Sequence, residues 1–229
     1  MALTELKTRD FPESPPGANP ASAATMPDGC DRLTGVWSRQ HFEEIIAREI
    51  ACSEICLKPL SLAIFDFDRL AAVNHRHGRV VGDNVLRLTA VRLRGACRST
   101  DLLFRWGGDQ FALLAATTCG VDALAIVQRL RERVSADEMP LAGTLTVSAG
   151  VAEHRAGEAT ARWLDRVDAA LRASKLAGRN RVTLACDATE LPAWLAQARR
   201  RNPNRPAALG AASVQSDNPT VARRPWAAP

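Results

Sequence analysis

The chain of 229 residues lacks tyrosine and has only six phenylalanines and five tryptophans. Proteins that bind single-stranded nucleic acid use aromatic side chains interleaved with basic ones, so this composition argues against a DNA- or RNA-binding protein. The chain also lacks an apolar run of the about 18 to 20 residues that cross a bilayer. The best candidate, 111–127, is interrupted by Gly120 and Asp122, and we therefore expect no membrane insertion.

The six cysteines include no C-x-x-C pair, and we expect no signal peptide before them. Disulfides belong mainly to oxidising compartments, so we expect reduced thiols in a cytoplasmic protein. Cys52 and Cys56 lie four residues apart on a predicted helix, a spacing that suits either a metal site or helix packing. Because no neighbouring histidine or second cysteine pair accompanies them, we favour packing.

The formal charge of +5 is unevenly distributed along the chain. Residues 190–229 contain six arginines against Glu190 and Asp217, whereas 1–27 carry a net charge of −1 and 28–189 one of +2. Both ends are rich in Pro and Ala and show little periodicity, which predicts disordered tails over 1–27 and 190–229. The folded domain is predicted over 28–189, and the basic tail is interpreted as a solvated segment.

Hydrophobic periodicity within 28–189 predicts helices that alternate with strands. Apolar residues at helical spacing indicate the helices, and short apolar runs indicate buried strands. Two such runs flank Gly107-Gly108-Asp109, which predicts a hairpin. The order α-β-α-α-β-β-α-β-α-β is typical of an α/β or α+β fold with helices packed on a central sheet. The predicted helices cover 39–57, 69–77, 83–96, 121–135 and 161–176, and the strands cover 60–67, 101–106, 110–116, 143–152 and 181–186.

Acidic residues follow the first buried strand and lie at the tip of the predicted hairpin. Asp66 and Asp68 are at the strand end, and Asp109 is at the tip. Ligand sites of sheet-and-helix proteins commonly lie at strand ends, and Mg²⁺ takes one or two carboxylates together with substrate phosphates. The two glycines before Asp109 would let a nucleotide approach the backbone closely. Taken singly, each motif is equally typical of an ordinary strand end or turn.

Five segments, taken together, match the motifs of one family in order and spacing. Asp31-Arg-Leu-Thr-Gly-Val-Trp-Ser-Arg39 resembles D-x-L-T-G-L-x-N-R. Phe65-Asp-Phe-Asp68, followed by Asn74, Gly78 and Gly82-Asp83, resembles D-x-D-x-F-K-x-x-N-D-x-x-G-H-x-x-G-D. Arg105-Trp-Gly-Gly-Asp-Gln-Phe111 resembles R-Y-G-G-D-E-F, Thr146-Val-Ser-Ala-Gly150 resembles V-S-x-G, and Ala173-Ser-Lys-Leu-Ala-Gly-Arg-Asn180 resembles A-K-x-x-G-R-N. Over about residues 30–184 the chain thus resembles the GGDEF family, the diguanylate cyclases.

This resemblance implies a fold similar to nucleotidyl cyclases and polymerase palms, with a central mixed sheet flanked by helices. It also implies bacterial second-messenger signalling, in which the two domains of a homodimer condense two GTP into cyclic di-GMP. In that reaction a 3′ hydroxyl attacks an α-phosphate with metal assistance, so positioning and charge neutralisation dominate catalysis. The implied site residues are Asp66, the Phe67 carbonyl and Asp109 for Mg²⁺ or Mn²⁺, Asp109 and Gln110 for catalysis, Asn74 and Asp83 for guanine, Gly107 and Gly108 for the approach of GTP, and Lys175 and Arg179 for its phosphates.

The chain departs from the family pattern inside the signature. Gln110 stands where the family has Glu, and an amide brings no negative charge and cannot act as a base, although its carbonyl can still contact a metal. Ala71 replaces a Lys, which removes a cation from the phosphate end. We therefore expect a partly degenerate active site, with a tolerated neutral change at 110 as the alternative. Further departures, interpreted as structural, are Ser38, His75, Arg79 and Arg172.

A second motif, Arg98-Ser-Thr-Asp101, lies five residues before Gly107, where the family has its R-x-x-D product-inhibitory site. Arg can bind phosphate or guanine and Asp can accept from guanine, although the same spacing also occurs in simple surface pairs. Two functions stay open. One is a diguanylate cyclase whose activity is weak or lost. The other is an inactive module that binds GTP, or cyclic di-GMP through Arg98 and Asp101, and acts with a separate signalling partner.

Overall fold

Five helices and seven strands make up the part of the chain that the computed structural model describes, residues 28–136, 138–185 and 212–215. The helices are α1 (Arg39–Cys56), α2 (Leu70–His77), α3 (Arg79–Arg94), α4 (Gly120–Ser135) and α5 (Thr160–Leu176). The strands are β1 (Trp37–Ser38), β2 (Leu60–Phe67), β3 (Asp101–Gly107), β4 (Gln110–Ala116), β5 (Val147–Glu153), β6 (Val182–Ala185) and β7 (Ala212–Gln215). The predicted order of ten elements is confirmed, with the short strands β1 and β7 added.

All seven strands belong to one mixed sheet in the order β1-β3-β4-β2-β5-β6-β7. The central strand β2 is antiparallel to both β4 and β5. The predicted hairpin is formed by β3 and β4. Parallel pairs join β1 to β3, β5 to β6 and β6 to β7. This mixed sheet with flanking helices is the expected α/β (α+β) architecture.

The central strand β2 is buried along its whole length because helices cover both faces of the sheet. Leu62 and Ile64 belong to an apolar cluster with residues of α1 and α5. Phe65 and Phe67 belong to a second cluster with residues of α2, α3 and α4. Side chains alternate between the two faces of a strand, so Asp66 lies on the same face as Ile64 and α5.

Two element boundaries differ from the prediction. Helix α3 begins at Arg79 instead of residue 83, because Gly78, with a φ of 83°, ends α2 and the next helix starts immediately afterwards. Strand β5 begins at Val147 instead of residue 143, because Met139 and Gly143 form an isolated bridge that turns the chain before the strand. Both differences depend on turn geometry that apolar periodicity does not report.

The strand β7 lies within 190–229, for which the sequence predicted no regular structure. Its backbone pairs in parallel with β6, from Val182 opposite Ala212 to Ala185 opposite Gln215. The other residues of 190–229 and all of 1–27 lie outside the described residues, so their disorder stays a prediction.

The five cysteines in the described part of the chain are free, and the sixth, Cys186, lies outside it. Burial raises the pKa of the Cys97 thiol to about 12, which keeps it protonated at neutral pH. Cys52 is half-buried and Cys56 is exposed on α1. Across the described residues, no helix combines the length and the apolarity needed to span a bilayer.

Gly150 in β5 marks a close approach between the sheet and α5. A Cβ atom at this position would lie 2.2 Å from the carbonyl oxygen of Val167 and 2.4 Å from the backbone nitrogen of Leu171. We predict that Gly150→Ala lowers the free energy of unfolding by about 3 kcal/mol, because the helix backbone itself would have to move. Urea unfolding followed by circular dichroism measures this.

Gly95→Ala is the matched control for that substitution. Gly95 has ordinary helical dihedral angles, and the nearest atom to an added Cβ lies at 3.4 Å. Its stability should stay within about 0.5 kcal/mol of the unchanged protein. Equal losses in both variants would contradict the packing explanation.

Candidate functional site

Three elements meet at the carboxyl end of β2. Asp66 pairs with Gln110, the first residue of β4, in the antiparallel register of the two strands. Side chains of directly opposed residues lie on the same face of a sheet, so both residues face the side covered by α5. The last turn of α5 contributes Lys175 to this position. Only 5% of Asp66 is exposed, so its charge is almost removed from water.

Both carboxylate oxygens of Asp66 have close partners. Lys175 Nζ lies 2.6 Å from Oδ1, and Gln110 Nε2 donates a hydrogen bond of 2.7 Å to Oδ2. An ionised glutamate at position 110 would have no hydrogen to donate and would bring a second negative charge. The residue that departs from the family signature therefore donates to Asp66, a role that the sequence did not predict.

Asp109 lies in the turn of the hairpin, beside the end of β2. Its backbone carbonyl accepts a hydrogen bond of 3.4 Å from the backbone N–H of Phe67. Burial raises the pKa of the Asp109 carboxyl, and the negative charge of Asp66 raises it further, whereas the charges of Lys175 and Arg105 lower it. The carboxylates of Asp66 and Asp109 are thus close enough for the charge of Asp66 to act on Asp109, and the sequence predicted that the two would lie together.

The hairpin turn exposes its backbone to solvent. Gly107 and Gly108 have φ angles of 150° and 50°, and a Cβ at either would meet no atom within 4 Å. Glycine is therefore required by the backbone conformation and not by crowding. Arg105 stabilises the turn, because its Nη2 donates a hydrogen bond to the carbonyl of Gly108. Its guanidinium also lies 5.3 Å from the centroid of the Phe111 ring.

Arg105 is a site residue to which the sequence analysis gave no role. Burial lowers the pKa of its guanidinium, and the charges of Asp31, Asp109 and Asp83 partly offset that effect. Its Nε and Nη1 atoms are buried without a hydrogen-bond partner in the described part of the chain. Its position two residues before the first glycine of the turn is the signal in the sequence that indicates this placement.

The predicted guanine-binding residues lie on α2 and α3. The Asn74 side chain packs on Gly82, where a Cβ would lie only 1.8 Å from Asn74 Oδ1, so a larger residue there would displace the Asn74 amide. That Oδ1 is buried, and no described residue donates a hydrogen bond to it. An unpaired buried acceptor is costly, and a donor from a ligand would satisfy it. Asp83 follows Gly82 and is half-buried.

Asp68 connects the site to neighbouring segments. Its carboxylate accepts hydrogen bonds from Thr146 Oγ1 at 2.7 Å, Ser148 Oγ at 2.7 Å and the backbone N–H of Asn180 at 3.0 Å. These bonds hold the segment after α5, including the exposed Arg179, against the end of β2. The second acidic residue of the strand end is therefore a structural anchor.

The Arg98 and Asp101 motif lies at the opposite end of β3, about 20 Å along the strand from the glycine turn. Asp101 is 1% exposed and accepts a hydrogen bond of 3.0 Å from the backbone N–H of Arg98. Burial raises the pKa of the Asp101 carboxyl. The Arg98 side chain is exposed. The turn therefore presents the arginine to solvent but directs the carboxylate inward.

The sequence model of the family described as diguanylate cyclase, GGDEF domain, matches residues 29–181, and the chain belongs to this family. It is 36% identical over 155 residues to diguanylate cyclase DgcM of Escherichia coli K12, a match that covers 68% of this chain and 38% of DgcM. It is 32% identical over 158 residues to diguanylate cyclase DgcP of Pseudomonas aeruginosa, with 68% of this chain and 24% of DgcP covered. The chain therefore matches less than half the length of these relatives.

Solved structures of GGDEF proteins resemble the described fold. The GGDEF domain of DgcB from Caulobacter crescentus, in complex with c-di-GMP, aligns with a TM-score of 0.66 and 31% identity, covering 69% of this chain and 95% of that one. Diguanylate cyclase SiaD from Pseudomonas aeruginosa, in complex with its activator SiaC, aligns with a TM-score of 0.67 and 33% identity, covering 69% and 62%. The expected palm-like fold and the membership of a cyclic di-GMP signalling family are thus confirmed.

We predict that Asp109→Asn stabilises the metal-free protein near pH 7 and that this gain disappears in acid. Below the unfolded pKa of about 3.9, the Asp109 carboxyl is neutral in both states and carries no penalty. As the pH rises through the unfolded and then the higher folded pKa, the native state pays for a charge beside Asp66, and the amide removes that cost.

Urea unfolding in the presence of a chelator, at a series of pH values from about 3 to about 7, measures this stability difference. Asp165→Asn, on the exposed side of α5, is the control for the loss of one negative charge. A stability gain that is the same at both ends of the pH range would contradict the assignment of Asp109 to a crowded acidic site.

Proposed function

We propose that this GGDEF domain binds GTP at the carboxyl end of β2 and condenses two GTP into cyclic di-GMP only weakly. The observation that carries the proposal is the contact of Asp66 with both Lys175 and Gln110. This contact brings a carboxylate, an ammonium group and the altered signature residue together at the end of β2. The nucleotide's phosphates would lie toward Lys175 and Arg179, and its α-phosphate beside the exposed Gly107-Gly108 backbone.

The guanine base would lie between α2 and α3. Asn74 Oδ1 is a buried acceptor that a guanine N–H donor would satisfy, and the Asp83 carboxylate can accept from the same edge. Adenine offers a different pattern of donors and acceptors, so this pair favours GTP over ATP. Burial lowers the pKa of the Arg105 guanidinium, and the charges of Asp109 and Asp83, one from each binding region, both act on it and raise that pKa.

Mg²⁺ or Mn²⁺ fits the chemistry of the donors at this site. Asp66, Asp109 and the Phe67 carbonyl supply oxygen, and burial together with the charge of Asp66 raises the pKa of the Asp109 carboxyl, so a bound cation would offset this repulsion. Among the described residues, no group of three or more His, Cys, Asp or Glu side chains is placed to hold a metal ion by itself, so phosphate oxygens and water would complete the coordination. When bound, the ion lowers the pKa of an attacking hydroxyl and neutralises phosphate charge.

The residues of the chain divide the remaining work. Lys175 carries a point charge on a flexible stem, so it can move from Asp66 to a phosphate oxygen when the nucleotide enters. Gln110 can orient Asp66 but cannot remove a proton from the 3′ hydroxyl. It also leaves the site with one negative charge fewer than the family signature provides, which weakens metal binding. Low turnover is the expected consequence.

Condensation of two GTP needs two domains that face each other, so a homodimer is part of this proposal. The relative SiaD was solved with its activator SiaC, and a separate signalling partner is a matching expectation for this chain. We place the reaction in the cytoplasm, where GTP is available.

The first test restores the signature residue. Gln110→Glu should raise the rate of cyclic di-GMP formation by about 10- to 100-fold, because it adds a carboxylate that can bind metal and accept a proton. Purified protein incubated with GTP and Mg²⁺, followed by chromatography of the nucleotides, measures the product. Ala71→Lys, alone and combined with Gln110→Glu, tests the missing phosphate cation.

Gln110→Ala is the matched control, since it removes the donor to Asp66 without adding a carboxylate. It should give no gain in product. If the glutamate variants also give none, the limit on activity lies outside these two positions and the explanation through Gln110 fails.

An alternative function is binding of cyclic di-GMP without catalysis, which the exposure of Arg98 favours. The related DgcB domain was solved in complex with c-di-GMP. In that case Arg98→Ala should weaken binding of cyclic di-GMP by about tenfold or more, because a guanine or phosphate contact is lost. Calorimetry measures the affinity, with Arg87→Ala on α3 as the control. Unchanged affinity in Arg98→Ala would exclude this site.

A further inference from the structure

A cavity of about 560 Å³ opens beside the proposed phosphate end of the site. It lies between α2, the segment 142–146 that leads into β5, and the segment 178–180 that follows α5. Its volume falls within the range of small-molecule sites in proteins. The charged and titratable side chains in its lining are Asp68, Arg69, Arg76, His77 and Arg179.

The basic side chains share this cavity for a geometrical reason. Val73 and Arg76 lie three residues apart and share one face of α2, and Arg69 is the residue immediately before that helix. Arg69 and Arg179 also have left-handed backbones, with φ angles of 68° and 64°. That conformation is uncommon for residues other than Gly, Asn and Asp. The fold therefore holds both arginines at the cavity against their local backbone preference.

The positive charge of the cavity is not neutralised by its own lining. Asp68 is the one carboxylate among the lining residues, and its oxygens already accept three hydrogen bonds from neighbouring segments. Within residues 28–136 and 138–185, no ion pair involves Arg69, Arg76 or Arg179. A concave surface that concentrates like charges in this way attracts an anion.

The cavity borders the proposed nucleotide site through Asp68 and Arg179, which belong to its lining. Arg179 follows the helix whose Lys175 contacts Asp66, and the backbone N–H of Asn180 donates to Asp68, two residues beyond Asp66. Ala71, where the family has a lysine, provides no charge on α2. The arginines two residues before it and five residues after it lie in the cavity instead.

We propose that this cavity binds the terminal phosphates of a nucleoside triphosphate and that Arg69 and Arg76 supply the charge that Ala71 lacks. This inference rests on the proposed binding of GTP and adds two residues to it. Guanidinium groups suit the task because their planar N–H groups can donate two parallel hydrogen bonds to one phosphate. The chain would therefore keep a phosphate-binding site, in which these two arginines replace the lysine that Ala71 removes.

The test separates the phosphates from the base. GTP, guanosine and inorganic tripolyphosphate are titrated calorimetrically into the full chain with a chelator present, so that the result does not depend on a metal. Arg76→Gln and Arg69→Asn should each weaken binding of GTP and tripolyphosphate by about 5- to 10-fold and leave guanosine unchanged. Asn is chosen at 69 because it tolerates the left-handed backbone.

Three controls keep the result interpretable. Arg162→Gln removes the same charge from an exposed position on α5, outside the cavity. Arg76→Lys keeps the positive charge but loses the planar guanidinium that can donate two parallel hydrogen bonds. This variant should therefore lose less affinity for tripolyphosphate than Arg76→Gln does. Urea unfolding of each variant checks that the fold is intact.

Each outcome bears on a different claim. If GTP binds equally well to the unchanged protein and to both cavity variants, the cavity proposal is wrong and the proposed function stands. If tripolyphosphate binds through Arg69 and Arg76 but GTP does not bind at all, the cavity holds polyphosphate and the proposed function is wrong. If Arg162→Gln weakens binding of GTP and tripolyphosphate as much as the two cavity variants do, the effect is one of net charge alone. That result would overturn the proposal.

Discussion

The carboxylate of Asp66 ends a strand that is buried on both faces, and a buried charge is tolerated only when neighbouring groups pair with it. Lys175 Nζ and Gln110 Nε2 are those partners. Because one comes from α5 and the other from β4, the pairing joins three parts of the chain that are distant in sequence. The arrangement of the site follows from this requirement. A ligand that enters must replace these contacts with others of equal strength.

The two acidic residues at the end of β2 serve different purposes because Asp66 lies within the strand and Asp68 lies just after it. Asp66 faces α5 and the hairpin, where like charge from Asp109 makes additional positive charge favourable. Asp68 lies beyond the strand and is saturated by three donors. One carboxylate therefore remains available for exchange with a ligand, and the other fixes the segments around it. The basic cavity borders the second one.

Much of this could be predicted from the sequence. The bounds of β2 and β4 follow from apolar runs, and the proximity of Asp66 to Asp109 follows from strand ends and a glycine turn. The donor role of Gln110 could not be predicted, since it depends on which side chain lies opposite across the sheet. The cavity was also missed, because Arg69 and Arg76 meet the segments 142–146 and 178–180 only after folding. Short edge strands such as β1 are too brief for a periodic signal.

The central claim is that the site at the end of β2 selects a guanine nucleotide. Its most direct test is a calorimetric comparison of GTP and ATP binding to the purified full chain in the presence of Mg²⁺. The account predicts saturable binding of GTP and binding of ATP that is at least about tenfold weaker, because the proposed contacts of Asn74 and Asp83 suit the donors of the guanine edge better than those of adenine. Equal affinity for the two nucleotides, or no binding of GTP, would contradict it.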